Sequence, residues 1–345
     1  MKTLLKIFAS IVFFTFHPFL FAQKSGQLKK EINQIIRTNH TFPFNGVILI
    51  SKNGKTIFEE IHGFKNFEEK IPLKKGNQFE IMSNSKVFTS VLILKEVEKG
   101  QIDLQQSIKT YLPEISQTWA DSVTVHQLLN HTHGIKEVTQ PLLFKPGTEF
   151  KYGNYSNLLL GKILENVTQK TYRELATNLF DEIGLNETFL YTPTEKHQLV
   201  QGYFFRNNSL LANHQTMITE EELPADGIIS TASDLAKWNH VLHHGKLLKP
   251  ETYKLLVTPS AQSQHNVFGT TPQGYAYNIR NVVENQINYI GHTGLGDGFS
   301  SLNIYFPKTK ISLIVLQNIM PENSDDYYFY EKQFKNLILN CDLVK

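Results

Sequence analysis

The chain has 345 residues, 41% of them hydrophobic and 19% charged, a composition too apolar for disorder and too interrupted for a polytopic membrane protein. Setting aside Lys2 and Lys6 leaves 32 basic against 32 acidic side chains, and a neutral chain without a basic run argues against nucleic-acid binding. Cys341 is the only cysteine, so neither an intrachain disulfide nor a cysteine-based zinc site can form.

Residues 1–22 read as an export signal. Lys2 and Lys6 precede an apolar run from Ile7 to Phe21, and Ala22 is the expected cleavage point. The expected location is therefore periplasmic or secreted, with membrane contact only if the segment stays uncleaved. Leu28 to Ile36 has helical periodicity, and Val47-Ile48-Leu49-Ile50 is a continuous apolar run of the kind that makes a buried strand. Asn53-Gly54 then signals a tight hairpin, with Thr56 to Ile61 as the returning strand. Between Val87 and Val97 apolar residues surround nearly the whole helical circumference, which places this helix at the centre of the molecule.

Residues 101–224 read as helical, including an amphipathic helix in which Leu160, Ile163, Leu164 and Val167 share a face. Strands resume afterwards. Leu302, Ile304 and Phe306 alternate with Asn303 and Tyr305, a turn follows at Pro307 to Lys310, and Leu313 to Leu316 is a second continuous apolar run. The expected fold is α/β of the α+β kind: an antiparallel sheet from both ends of the chain, flanked by N- and C-terminal helices, with an all-helical subdomain inserted. The sheet part covers about 23–100 and 225–345, the insertion about 101–224, and the last helix about 326–339.

Ser83 and Lys86 lie three residues apart at the start of the central helix, which puts a hydroxyl and an amine on one face. A lysine desolvated there is expected to be partly neutral near pH 7 and able to take the serine proton. Tyr152-Gly153-Asn154 and His292-Thr293-Gly294 are further candidates, each a polar turn when taken alone. His240, His243 and His244, and the His131/His133 pair, have metal-like spacings, but no His-Glu-x-x-His accompanies them and no metal is expected. Gly294-x-Gly296-x-Gly298 lacks the lysine and crossover helix of a nucleotide loop and reads as a flexible loop beside a site. No Gly-x-Ser-x-Gly nucleophile elbow is present.

Taken in order, these motifs resemble the serine β-lactamase and penicillin-binding-protein superfamily, in the branch of class C β-lactamases, DD-carboxypeptidases, D-aminopeptidases and esterases. Ser83 and Lys86 match its Ser-x-x-Lys, Tyr152 and Asn154 its Tyr-x-Asn, and His292 and Gly294 its Lys/His-x-Gly. Leu128 to Gly134 looks like its Leu-Leu-Thr-His-Thr-Ser-Gly, and Gly227 to Leu235 like its Gly-Gly-x-x-Ser-Thr-x-x-Asp-Leu. Tyr155-Ser156-Asn157 is nominally the better tripeptide, but Tyr152 has the family's separation from Gly161.

The resemblance implies a β-lactamase-like fold and acyl transfer through a serine ester without a cofactor. Ser83 would be the nucleophile, Lys86 and Tyr152 the proton carriers, and Asn154 would orient Lys86 and the substrate. His292, Thr293 and Gly294 would line the substrate, and the backbone N–H groups of Ser83 and Leu295 would hold the oxyanion. The implied partner is a small-molecule or peptide substrate: a D-amino peptide, an ester, or weakly a β-lactam. The alternative is a penicillin-recognising or peptidoglycan-binding protein that kept the fold and lost turnover. His292 stands where many β-lactam hydrolysing relatives carry lysine, so a substrate carboxylate is expected to bind more tightly as His292 protonates, the alternative being that His292 only shapes the strand and donates a neutral hydrogen bond.

Overall fold

The computed structural model describes residues 16–38, 40–193, 199–270 and 272–345, with the side chains of 16–25 outside the description. Most of the export-signal pattern, residues 1–15, therefore lies outside the described residues. Helix α1 runs Phe16–Ile36, and its Leu28, Ile32 and Ile36, four residues apart, are buried. The hairpin β1 (Gly46–Lys52) and β2 (Lys55–His62) turns through Asn53 and Gly54, both at positive φ (52° and 74°), the geometry for which Asn-Gly is favoured. Short strands β3 (Phe64–Asn66), β4 (Ile71–Pro72) and β5 (Phe79–Glu80) lead to a 3-10 turn at Met82–Asn84 and the central helix α2 (Ser85–Glu98).

The insertion carries α3 (Val125–Leu129), α4 (Tyr155–Thr168) and α5 (Tyr172–Ile183). It is not purely helical: β6 (Phe189–Leu190), β7 (Tyr203–Arg206) and β8 (Ser209–Ala212) also belong to it. Then come α6 (Leu223–Asp226), β9 (Ile228–Ser230), α7 (Ala232–His243) and α8 (Pro250–Val257). The chain closes with β10 (Ala261–Ser263), β11 (Gln273–Tyr275), β12 (Arg280–Glu284), β13 (Ile287–Gly296), β14 (Phe299–Phe306), β15 (Ile311–Gln317), β16 (Ile319–Pro321) and helix α9 (Phe329–Asn340).

The main sheet is antiparallel, in the order β10-β11-β12-β13-β14-β15-β1-β2, so N- and C-terminal strands meet where β1 pairs with β15. Both faces are covered. Val47, Leu49, Ile314 and Leu316 join the core around α2 and α7, while Ile48, Ile50, Leu313 and Val315 join the core beneath α1 and α9. That double burial accounts for the continuous apolar runs. It also explains the polar residues of β14, since Asn303 does not face water: it is 7% exposed and exchanges amide hydrogen bonds with buried Asn239 of α7 at 2.6 and 3.2 Å. A stacked Phe88–Trp238 pair, 3.8 Å between centroids, locks α2 against α7.

Candidate active site

Ser83 follows Met82, a non-glycine residue at φ 49° wedged between the end of β5 and the start of α2. Strain of this kind persists only where neighbours over-determine it. Here β13 presses on the turn: a Cβ on Gly294 would sit 2.1 Å from the Ile81 carbonyl oxygen and 2.9 Å from the Met82 Cβ. Only glycine permits that approach, which gives the His-x-Gly glycine a steric reason. Residues 292–294 are thus strand rather than turn, and Gly294 and Gly296 are strand residues rather than a flexible loop.

Around Ser83 the polar atoms form a closed set. Lys86 Nζ donates to Ser83 Oγ at 2.7 Å, and Ser83 Oγ donates to Asp226 Oδ1 at 2.9 Å. Lys86 Nζ also donates to Asp226 Oδ1 at 3.1 Å and to the Ala225 carbonyl at 3.2 Å. Lys86 is fully buried, and burial alone pushes its pKa down. The Asp226 carboxylate, with Tyr152 beside it, outweighs that penalty and holds Lys86 above the ordinary lysine value. The expectation of a partly neutral Lys86 is therefore corrected: its counter-ion keeps it an ammonium in the resting site.

Asp226 ends α6, and α6 is held against α4 because Gly161 has no side chain: a Cβ there would stand 2.4 Å from Pro224 Cγ. Asn154 turns its amide to Asp226 Oδ2 (2.6 Å) and Glu222 Oε2 (3.1 Å), so it orients the carboxylate that holds Lys86. Tyr152 presents its ring to Lys86 Nζ at 5.4 Å and its buried hydroxyl accepts or donates no hydrogen bond. Tyr155 is 37% exposed, and Asn157 is consumed by a buried amide network with Asn278. The structure thus separates the two adjacent tripeptides.

His292 is buried, and burial, followed by the charge of Arg280, pulls its pKa well below the ordinary histidine value. Its Nδ1 lies 2.6 Å from the Thr293 carbonyl and its Nε2 3.2 Å from the Tyr275 hydroxyl, the pattern of a neutral ring with the proton on Nδ1. The expectation that it titrates to read a carboxylate is corrected. A buried positive charge lies nearby on Arg280. It is 1% exposed, lies 5.6 Å from the Tyr152 ring, and leaves Nε and Nη1 without hydrogen-bond partners.

His131, His133 and His243, singled out by their spacing, make packing and hydrogen-bond contacts. His131 bonds Asn278 and Ser156, His133 accepts from the Ile135 backbone, and His243 stacks on Tyr305. Among the described residues no cluster of histidine, cysteine or acid groups has the arrangement to hold a metal.

Asp226, Glu222 and Arg280 were not found from sequence. A signal existed for one of them: Asp226 occupies the first glycine position of the Gly-Gly-x-x-Ser-Thr pattern, immediately before Gly227.

A covered antiparallel sheet, an inserted helical region and a Ser-Lys pair at the start of the central helix define a penicillin-recognising type of fold. The chain belongs to the Beta-lactamase family, which it matches over residues 43–333. It is 27% identical over 302 residues to Protein flp of Staphylococcus aureus (strain N315), covering 80% of this chain and 59% of that protein's length. Among solved structures it is similar to the octameric penicillin-binding protein homologue from Pyrococcus abyssi, at TM-score 0.77 and 22% identity over 91% of this chain and 77% of that one. D-amino acid amidase from Ochrobactrum anthropi SV3 is similar at TM-score 0.77 and 18% identity, over 91% of this chain and 99% of that one.

Proposed function

We propose that the protein is an exported serine hydrolase that works through a covalent acyl-enzyme on a small ester, amide or D-amino peptide. The observation that carries the reading is the position of Ser83 Oγ, which donates to a carboxylate and accepts from an ammonium at the same time. As Oγ bonds to the substrate carbonyl carbon, its proton passes to Asp226, and Lys86 stabilises the developing negative charge. The backbone N–H groups of Ser83 and Leu295 receive the oxyanion. Collapse of the tetrahedral intermediate breaks the bond to the leaving group, which takes a proton from Tyr152 or Lys86. Water then attacks the Ser83 ester and gives one proton back to the Tyr152 or Lys86 that lost it, and as the ester bond breaks the proton held by Asp226 returns to Oγ.

Arg280 favours substrates with a carboxylate, because a buried guanidinium with two unpartnered N–H groups gains most from a bidentate anion. Family membership supports the acyl-transfer class, and the relatives with amidase and penicillin-binding names support the range of substrates. The test is covalent labelling. A neutral fluorophosphonate is expected to modify the wild type at Ser83 and leave Ser83→Ala unmodified. Failure of every serine-directed probe on the wild type, penicillin included, overturns the reading.

A further inference from the structure

Beside the Ser83 centre lies a second recess that the acyl-transfer reading does not use. It is an open cleft of about 150 Å³, walled by Glu80, Tyr191, Gln201, Asn213, Thr216 and Asp297 among others. Both ends of the reaction centre feed into it: Glu80 comes three residues before the nucleophile, and Asp297 two residues after Leu295.

Asp297 and Gly298 form the two-residue turn between β13 and β14, both at positive φ (50° and 87°). The turn fixes the Asp297 carboxylate, whose Oδ2 accepts from Thr216 Oγ1 and the Met217 backbone N–H, each at 2.8 Å. Glu80 is the independent observation. It is 5% exposed, it lines the cleft, and its Oε2 has no hydrogen-bond partner.

A buried carboxylate oxygen without a donor is costly. Burial first, then the charges of Asp297 and Asp226, push the Glu80 pKa up to about 8. The same Glu80 and Asp297, after burial, push the neighbouring Tyr191 phenol upward. The other titratable group in the wall is His214, and among the described residues no lysine or arginine lines the cleft. The geometry therefore asks for a positive hydrogen-bond donor. A metal fits poorly, since the described residues offer no cluster of three suitable ligands. An ammonium group fits well, with N–H bonds to distribute between two carboxylates.

We infer that this cleft binds the ammonium group of an amine-bearing acyl donor, with Glu80 and Asp297 as its two acceptors, so that the preferred substrates carry a free amine close to the scissile carbonyl. This rests on the serine-hydrolase reading, and it assigns the acyl side of that site. On binding, Glu80 gives up its proton and pairs as a carboxylate, which removes the orphaned oxygen from the structure.

The experiment measures protection of Ser83 from fluorophosphonate labelling at pH 7.5 by D-alaninamide and by propionamide, which differ only in the amine. Wild type is expected to be protected by D-alaninamide at a concentration lower by about tenfold or more, the scale of one charge-assisted hydrogen bond. In Glu80→Gln and in Asp297→Asn the two amides are expected to converge to within about threefold, since each variant removes one of the two charged acceptors. Equal protection of the wild type by both amides overturns the inference, as does an amine advantage that survives in both variants, or no protection by either amide. Absence of labelling at Ser83 by fluorophosphonate, penicillin and every other serine-directed probe overturns the hydrolase reading and this one with it. Labelling without amine-selective protection overturns this one alone.

Discussion

Replacing Asp226 by asparagine preserves shape and removes one charge, and its consequences can be worked out from three contacts. Asp226 accepts from Ser83 Oγ (2.9 Å), Lys86 Nζ (3.1 Å) and Asn154 Nδ2 (2.6 Å). Losing the proton acceptor is expected to slow acylation of Ser83 by roughly 10²–10⁴-fold, the range for a positioned general base. Lys86 at the same time becomes a fully buried ammonium without its counter-ion, and breaking a buried pair from one side costs about 3–5 kcal/mol.

The sign of the pH dependence separates this account from a general packing defect. In the wild type the folded-state pKa of Lys86 is raised, so its contribution is fully present below the unfolded value, about 10.4, and is lost only as pH climbs through the folded value. In Asp226→Asn burial is opposed by Tyr152 alone, and the folded pKa falls below the unfolded one. Between the two values the unfolded chain then binds more protons, so stability of the variant rises with pH. The deficit relative to wild type is expected to be about 3 kcal/mol at pH 6 and to shrink by up to roughly 1.4 kcal/mol per pH unit on the way to pH 9. Urea unfolding at pH 6, 7.5 and 9, with labelling rates at each pH, tests both halves. A pH-independent deficit refutes the electrostatic account, and a labelling rate within about threefold of wild type refutes Asp226 as the acceptor.

Tyr152→Phe is expected to reduce acylation by about 10²-fold or more while Tyr155→Phe stays near wild type, because only Tyr152 faces Lys86 and Tyr155 is on the surface; comparison of labelling rates decides between them. Arg280→Met is expected to lower kcat/KM for a carboxylate-bearing ester against its neutral partner by roughly 10–100-fold, one charge-assisted bidentate contact. In the wild type that ratio should stay flat from pH 5.5 to 8.5 as far as His292 is concerned, since its pKa lies well below the usual value; a rise toward pH 5.5 that disappears in His292→Lys returns the charge-reading role to His292. Gly294→Ala should abolish labelling, because its Cβ would collide with the Ile81 carbonyl and displace the nucleophile turn; near-wild-type labelling removes that steric role.

Local signals served well where one short-range preference dominates. Asn53-Gly54 gave its hairpin because both turn positions need positive φ, and the apolar circumference of residues 87–97 gave the central helix. The alternation in β14 was legible as a strand, but its environment was not. Asn303 and Tyr305 look solvent-facing in sequence, whereas the sheet has helices on both sides and Asn303 meets Asn239, 64 residues away. The final helix begins at Phe329 rather than 326, because Ser324–Asp326 forms a separate 3-10 turn and Tyr328 takes a left-handed conformation before it. The site divided in the same way. Ser83 and Lys86 are three residues apart and could be paired by helical spacing, while Asp226 and Arg280 act from segments about 140 and 200 residues downstream, and no local rule connects them.

Charge balance is what the missing residues change. With Ser83, Lys86, Tyr152 and His292 alone, the site would hold one lysine whose burial favours the neutral, basic form. Asp226 in the first glycine position of the Gly-Gly-x-x-Ser-Thr segment reverses that preference, since a carboxylate 3.1 Å away makes the ammonium the stable form and leaves Asp226 as the acceptor nearest the serine proton. On the proposed mechanism the proton-accepting role therefore moves from the residue the motif names to one the motif does not contain. Asn154 follows the same logic: its amide satisfies the second Asp226 oxygen, so its contribution to Ser83 runs through the orientation of that carboxylate. On this arrangement Asn154→Ala should act through the proton acceptor, lowering the acylation rate while changing the affinity for a carboxylate-bearing ligand little, and a loss confined to ligand affinity would place Asn154 against the substrate instead.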